Sequence, residues 1–126
     1  MPSTMREVID LEATGLAPSR ARGVVRSFAA DLVPDEVLGT AELLVSELVT
    51  NAIRHGTGPV RLAIDCVNSH LSVTVCDGDP GVPRIQPERP LAESGRGLRM
   101  IDALAGEWGV SRCSTGPGKG VWFRLP

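Results

Sequence analysis

The sequence predicts a single α+β domain, an α/β sandwich, on three observations. Two early segments carry apolar residues at helical spacing, a later pair of short apolar runs is joined by a tight turn, and a third helical pattern is followed by two more strand-like runs. The predicted order is β-α-α-β-β-loop-α-β-β. At 126 residues the chain fits one compact domain, and its 42% hydrophobic content is enough for a core.

The elements follow in chain order. Val8, Ile9 and Leu11 suggest a short first strand. Ala17-Pro18-Ser19 starts a helix, continued by Ala21, Val24, Val25, Phe28, Ala29 and Leu32 and broken before Pro34. Asp35 to His55 is the clearest helix: Val37, Ala41, Leu44, Val45, Leu48, Val49, Ala52 and Ile53 form one broad apolar face, with Gly56 as the stop. Val60–Val67 and Leu71–Cys76 read as a β-hairpin turning at Asn68-Ser69-His70. Asp77 to Ser94 carries four prolines and is read as a long loop, a length that usually means function or disorder. Gly95-Arg96-Gly97 opens a helix to about Ala105, and Trp108–Cys113 and Val121–Leu125 are the closing strands.

Composition excludes some partners. The net charge is -2 and no basic run occurs, which argues against a phosphate-backbone binder; aromatics at 3% argue against base stacking. Nucleic acid is therefore not an expected partner. No apolar run approaches the ~20 residues of a membrane span, and Met1 to Asp10 has no apolar signal core, so no membrane partner is expected. Cys66, Cys76 and Cys113 are odd in number and lack metal-type spacing. They are read as buried thiols in a reducing cytoplasm. Lys119 is the one lysine among 13 basic residues, taken as coding bias.

Four places could carry chemistry. Glu47, Asn51 and His55 are spaced four apart on the strongest helix, making a polar stripe beside an apolar face. An amide oxygen and a carboxylate one turn apart suit Mg²⁺, which takes few protein oxygens beside phosphates and waters. For these three alone, a solvated helix face is the better reading, by about two to one. Asp77 ends an apolar strand and enters Asp77-Gly78-Asp79-Pro80-Gly81, where glycines let a ligand approach a carboxylate. A plain Asp-Gly turn is the alternative. Gly95-Arg96-Gly97 at a helix start suits an anionic phosphate, although Gly-x-Gly alone usually marks a turn. Gly118-Lys119-Gly120 is a turn by default.

In order and together these signals are specific. Glu47-Leu48-Val49-Thr50-Asn51-Ala52-Ile53-Arg54-His55-Gly56 resembles the N-box of the GHKL ATPase superfamily. Asp77 to Gly81 resembles its adenine box, Glu93-Ser94-Gly95-Arg96-Gly97-Leu98 its second glycine box, and Gly118 to Phe123 its last. The run Gly97-Leu98-Arg99-Met100-Ile101-Asp102-Ala103-Leu104 is similar to that of the anti-sigma factor serine kinases of Gram-positive bacteria. The resemblance implies a Bergerat-type ATP-binding fold, with a mixed, mostly antiparallel sheet covered on one face by three helices. It implies ATP and Mg²⁺ as cofactors, a sigma factor and an anti-anti-sigma protein as partners, and it suggests a homodimer. It also implies roles: Asn51 as Mg²⁺ ligand, Glu47 as general base, and Asp77 as acceptor for the adenine amine. Gly81 closes the adenine pocket, Gly95, Arg96, Gly97 and Leu98 line the triphosphate, and His55 sits near the nucleotide edge. Two positions depart from the pattern. Asp79 replaces the middle glycine of the adenine box, and Gly120 falls where a threonine is often found.

Two functions follow: a protein serine kinase phosphorylating an anti-anti-sigma partner, or a nucleotide-sensing anti-sigma module with little transfer. Glu47 and Asn51 favour the first; the altered adenine box favours the second. A sensor-kinase catalytic domain ranks third.

Overall fold

The computed structural model describes residues 4–55, 58–77, 93–113 and 118–126, with His55 and residues 93–98 described by backbone alone. Most of the Pro-rich loop, including Asp79 and Gly81, the stop residue Gly56 and the turn 114–117 lie outside the described residues. The elements are β1 (Thr4–Leu11), α1 (Ala17–Ala29), α2 (Asp35–His55), β2 (Val60–Val67), β3 (His70–Cys76), α3 (Glu93–Leu104), β4 (Glu107–Arg112) and β5 (Lys119–Leu125).

The five strands form one sheet in the order β1-β2-β3-β5-β4. All four pairings are antiparallel, so the described sheet contains no parallel pair, where a mixed sheet was expected. β3 and β4 run the same way but are separated by β5, and α3 makes the crossover between them. The hairpin turn is tighter than the sequence suggested. Val67 pairs with His70, leaving Asn68 and Ser69 alone in the turn with φ of 51° and 69°. Two consecutive left-handed residues match the twist of flanking strands in a two-residue hairpin.

The sheet is amphipathic through the two-residue alternation of strands. Leu62 and Ile64 of β2, Leu71, Val73 and Val75 of β3, and Phe123 and Leu125 of β5 are buried on the helix side. Against them lie Ala21, Val25 and Ala29 of α1, Leu44, Val45, Leu48 and Val49 of α2, and Ile101 of α3. On the other face Trp122 lies flat over Gly109: a Cβ at Gly109 would come within 2.8 Å of the indole. A side chain at 109 would displace that ring.

α2 is the central helix. It begins just after Pro34, with Asp35 and Glu36 in its first turn, where carboxylates suit the helix dipole. It packs on α1 along one side and α3 on the other, and lies across β3. Arg26 of α1 forks onto Glu42 of α2 at 3.1 and 2.7 Å, and the Arg22 guanidinium donates to Ser46 Oγ at 2.7 Å.

The cysteines do not match their reading as three free thiols. Cys76 and Cys113 form a disulfide with their Cα atoms 5.8 Å apart; Cys66 is free and buried. The two are 37 residues apart in sequence, and only the β3-β5-β4 arrangement brings them together.

Candidate functional site

The register collects the candidate residues at one end of the sheet. Arg61, at the start of β2, pairs with Cys76 at the end of β3; Cys76 pairs with Gly120 at the start of β5; and Lys119 pairs with Arg112 at the end of β4. α2 finishes at His55, five residues before β2 begins, so its C-terminal half, with Asn51, reaches the same end. α3 leads into β4, whose first residue lies at the opposite end of the sheet, so the N-terminus of α3 also points to the Asp77 end. The polar stripe of α2, the end of β3 and the start of α3 thus surround one region.

On α2, Glu47 and Asn51 are both half-buried and separated by one turn, between the fully buried Val45 and Val49 and the solvent. His55 is the last residue of the helix and its side chain lies outside the described atoms. Thr50 satisfies its hydroxyl on Ser46 O at 2.8 Å, which leaves Asn51 as the polar side chain of the stripe in that turn.

Asp77 is the one buried charged residue among the described ones. Its N–H donates to Lys119 O at 3.1 Å, continuing the β3–β5 ladder past Cys76. By strand alternation Asp77 faces the helix side with Val75, whereas Cys76 faces the open side with Thr74. Lys119 lies on the same side as Asp77, with Nζ 3.9 Å from Oδ2, and the two side chains are 15% and 5% exposed. Sequence reasoning missed Lys119 as a neighbour of the site. Its signal was being the one lysine in an arginine-rich chain, and it was set aside as bias.

The structure also relocates Gly120. A Cβ there would meet Cys76 Sγ and Thr74 Cγ2 at 3.2 Å, on the face away from Asp77. The missing side chain at 120 therefore takes nothing from the face on which Asp77 lies. The neighbour facing that side is Val121, paired with Val75.

α3 starts at Glu93, two residues earlier than read. The first four N–H groups of a helix have no partner within it. In α1 and α2 the fourth residue, Arg20 or Leu38, already donates to the residue before the helix, so counted from Glu93 Gly95 holds such a position while Arg96, Gly97 and Leu98 fall beyond it. The far end of α3 is fixed by the buried Ile101 and by Trp108 Nε1 donating to Asp102 Oδ1 at 2.8 Å.

The donor set fits a hydrated divalent cation. Asn51 offers an amide oxygen and Glu47 a carboxylate, and among the described residues no three His, Cys, Asp or Glu side chains converge on one point. A cation here would draw its remaining ligands from phosphate and water, the arrangement Mg²⁺ prefers. A groove of about 570 Å³ lined by Val67, His70, Ser72, Glu107 and Arg124 lies at the opposite end of the sheet and holds none of the candidate residues.

Comparison with known proteins places the fold in a family. The profile of the histidine kinase-like ATPase domain matches residues 12–125. An uncharacterised protein of Streptomyces coelicolor is 40% identical over 74 residues, covering 54% of this chain and 70% of that protein. Among solved structures, the RsbU and RsbW domains of Rv1364c from Mycobacterium tuberculosis superpose with a TM-score of 0.72 at 20% identity, over 96% of this chain and 32% of that one. The blue-light activated histidine kinase EL346 of Erythrobacter litoralis gives 0.59 at 26% identity, over 89% and 41%. The chain spans less than half the length of either solved protein.

Proposed function

The chain belongs to the histidine kinase-like ATPase family, and on that premise we propose that it binds MgATP and transfers the γ-phosphoryl group to a serine of an anti-anti-sigma protein, while its second partner is a sigma factor. The observation that carries this reading is the pairing of Glu47 and Asn51 one turn apart on α2, at the end of the sheet where Asp77 closes β3. The likeness to a chain containing an RsbW domain supports the choice of a regulatory partner protein.

In this reading Asp77 accepts the adenine amino hydrogen, the N-terminus of α3 receives the phosphates, and Asn51 contributes its amide oxygen to the cation. Mg²⁺ supplies charge neutralisation on the phosphate oxygens. Glu47 takes the proton of the substrate serine as its oxygen bonds to the γ-phosphorus and the bond to the ADP oxygen breaks. Positioning and electrostatics account for most of the rate enhancement in such a transfer.

The binding-module reading keeps one observation in its favour: Lys119 already holds the Asp77 carboxylate that adenine needs. Glu47→Gln separates the two readings. It keeps side-chain volume but cannot accept a proton, so MgATP binding stays near wild type and transfer to the partner serine falls about 10²–10⁴-fold. Asn51→Ala lowers both. A Glu47→Gln protein that phosphorylates at the wild-type rate removes Glu47 as the base. A wild-type protein that binds ATP but modifies no anti-anti-sigma protein leaves the binding module.

A further inference from the structure

The disulfide sits against the nucleotide end of the sheet in a way that its sequence position hides. Cys76 is the residue immediately before Asp77, and Cys113 is the residue immediately after β4. The strands that carry them are not neighbours, because β5 runs between them. Two strand spacings of about 4.8 Å would hold such residues nearly 10 Å apart. Here their Cα atoms are 5.8 Å apart, so the ends of β3 and β4 close over the start of β5. Glycine permits this: a Cβ on Gly120 would press on Cys76 Sγ at 3.2 Å, and Cys113 N–H reaches Gly118 O at 2.7 Å. The departure at position 120 and the crosslink are one structural feature.

The segment enclosed by the crosslink, residues 77–112, contains Asp77, Gly81 and Gly95 to Leu98, the candidate nucleotide contacts outside α2. Cys76 is buried, whereas Cys113 is half-buried and follows the last residue of β4.

We propose that Cys76 and Cys113 form a redox switch that sets nucleotide affinity, with the disulfide form binding MgATP more tightly than the dithiol. The proposal rests on the nucleotide-binding reading above. Its chemistry is thiol–disulfide exchange with a low-molecular-weight disulfide: the Cys113 thiolate attacks one sulfur and releases one thiol, then the Cys76 thiolate attacks the mixed disulfide and releases the second. Two cysteine thiols are oxidised, one external disulfide is reduced to two thiols, and the two protons given up by the cysteines end on the released thiols. Coupling to the nucleotide runs through the backbone. The crosslink fixes Cys76, and with it the peptide that presents Asp77 to its ladder partner Lys119, and it ties the end of β3 to the end of β4. Ordering done in advance does not have to be done by the ligand.

The test is calorimetric titration of MgATP into the full chain, equilibrated in either oxidised or reduced glutathione. Oxidised wild type binds at least about fivefold tighter than reduced, the lower end of ordinary coupling between sites. Cys113→Ser, which cannot close the bond, binds like the reduced protein in both buffers. Linkage requires the reciprocal effect: saturating MgATP shifts the glutathione equilibrium of the wild-type pair towards the disulfide by the same factor. Equal MgATP affinity in the two states overturns the switch and leaves the nucleotide site standing. A crosslink that glutathione cannot reduce in the folded chain also overturns it. Absence of MgATP binding in both states overturns the nucleotide reading, and the switch with it.

Discussion

Asp77 carries two demands at once. In the proposed function it accepts the adenine amine, and it is paired with the ammonium of Lys119 in surroundings that leave its side chain 5% exposed. Asp77→Asn keeps the shape but removes the charge, so the ion pair with Lys119 is lost and the adenine amine loses a full-strength acceptor. The expected result is MgATP affinity lower by about 1–3 kcal/mol, the cost of one unpaired buried polar group, with a lower melting temperature even without nucleotide. Calorimetry and a thermal melt on the same sample separate the two losses. Wild-type affinity in Asp77→Asn would take Asp77 out of the site. Glu47, Asn51 and Asp77 were proposed from the sequence because their spacing and order form a pattern, and the fold brings their elements to one end of the sheet. Lys119 was not, since its meaning depends on the β3–β5 register, which no local spacing encodes.

Elements were legible where periodicity was strong. α2 runs Asp35–His55 as read, because eight apolar residues on one face leave no other way to bury it. Leu44 is fully buried in that face, so Leu44→Ala should destabilise the domain by about 2–5 kcal/mol in a denaturant titration. A change well below that range would mean that α2 is not the central packing element. β1 was read only from Val8 but begins at Thr4. Most of its side chains are exposed, so no alternation marked it; its length comes from pairing along all of β2. Part of that pairing is ionic. Arg61 Nε donates to Asp10 Oδ1 at 2.7 Å, and this hydrogen bond, with the charge behind it, holds the Asp10 carboxyl below its ordinary value of 3.8. A folded value below the unfolded one stabilises the fold above the unfolded value, and the effect fades as pH falls through the folded one. Asp10→Asn should therefore melt slightly lower than wild type near neutrality and converge with it once pH has fallen below the lowered folded value, with added salt shrinking the difference. A gap that persists in strong acid would assign the effect to something other than the ion pair. α3 begins at Glu93 because glycines weaken a helix interior without ending it, so Gly95 marks flexibility of sequence and not the helix boundary.

At the scale of the molecule, an antiparallel sheet with helices on one face follows the fold expected from the motifs, while the disulfide does not. Cys76 and Cys113 looked like unrelated thiols because 37 residues, a crossover helix and an intervening strand separate them. Their meeting is a property of topology. The same topology makes the site: the C-terminal half of α2, the end of β3 and the start of α3 come from distant parts of the chain, and only the assembled sheet brings them to one end. The most direct measurement of this account is calorimetric titration of ATP into the wild-type chain, with and without Mg²⁺, beside Asn51→Ala. The account predicts binding to the wild type that is strengthened by Mg²⁺, and a large loss of both affinity and Mg²⁺ dependence in Asn51→Ala. ATP binding that ignores Mg²⁺ and is the same in Asn51→Ala, or no ATP binding at all, would contradict it.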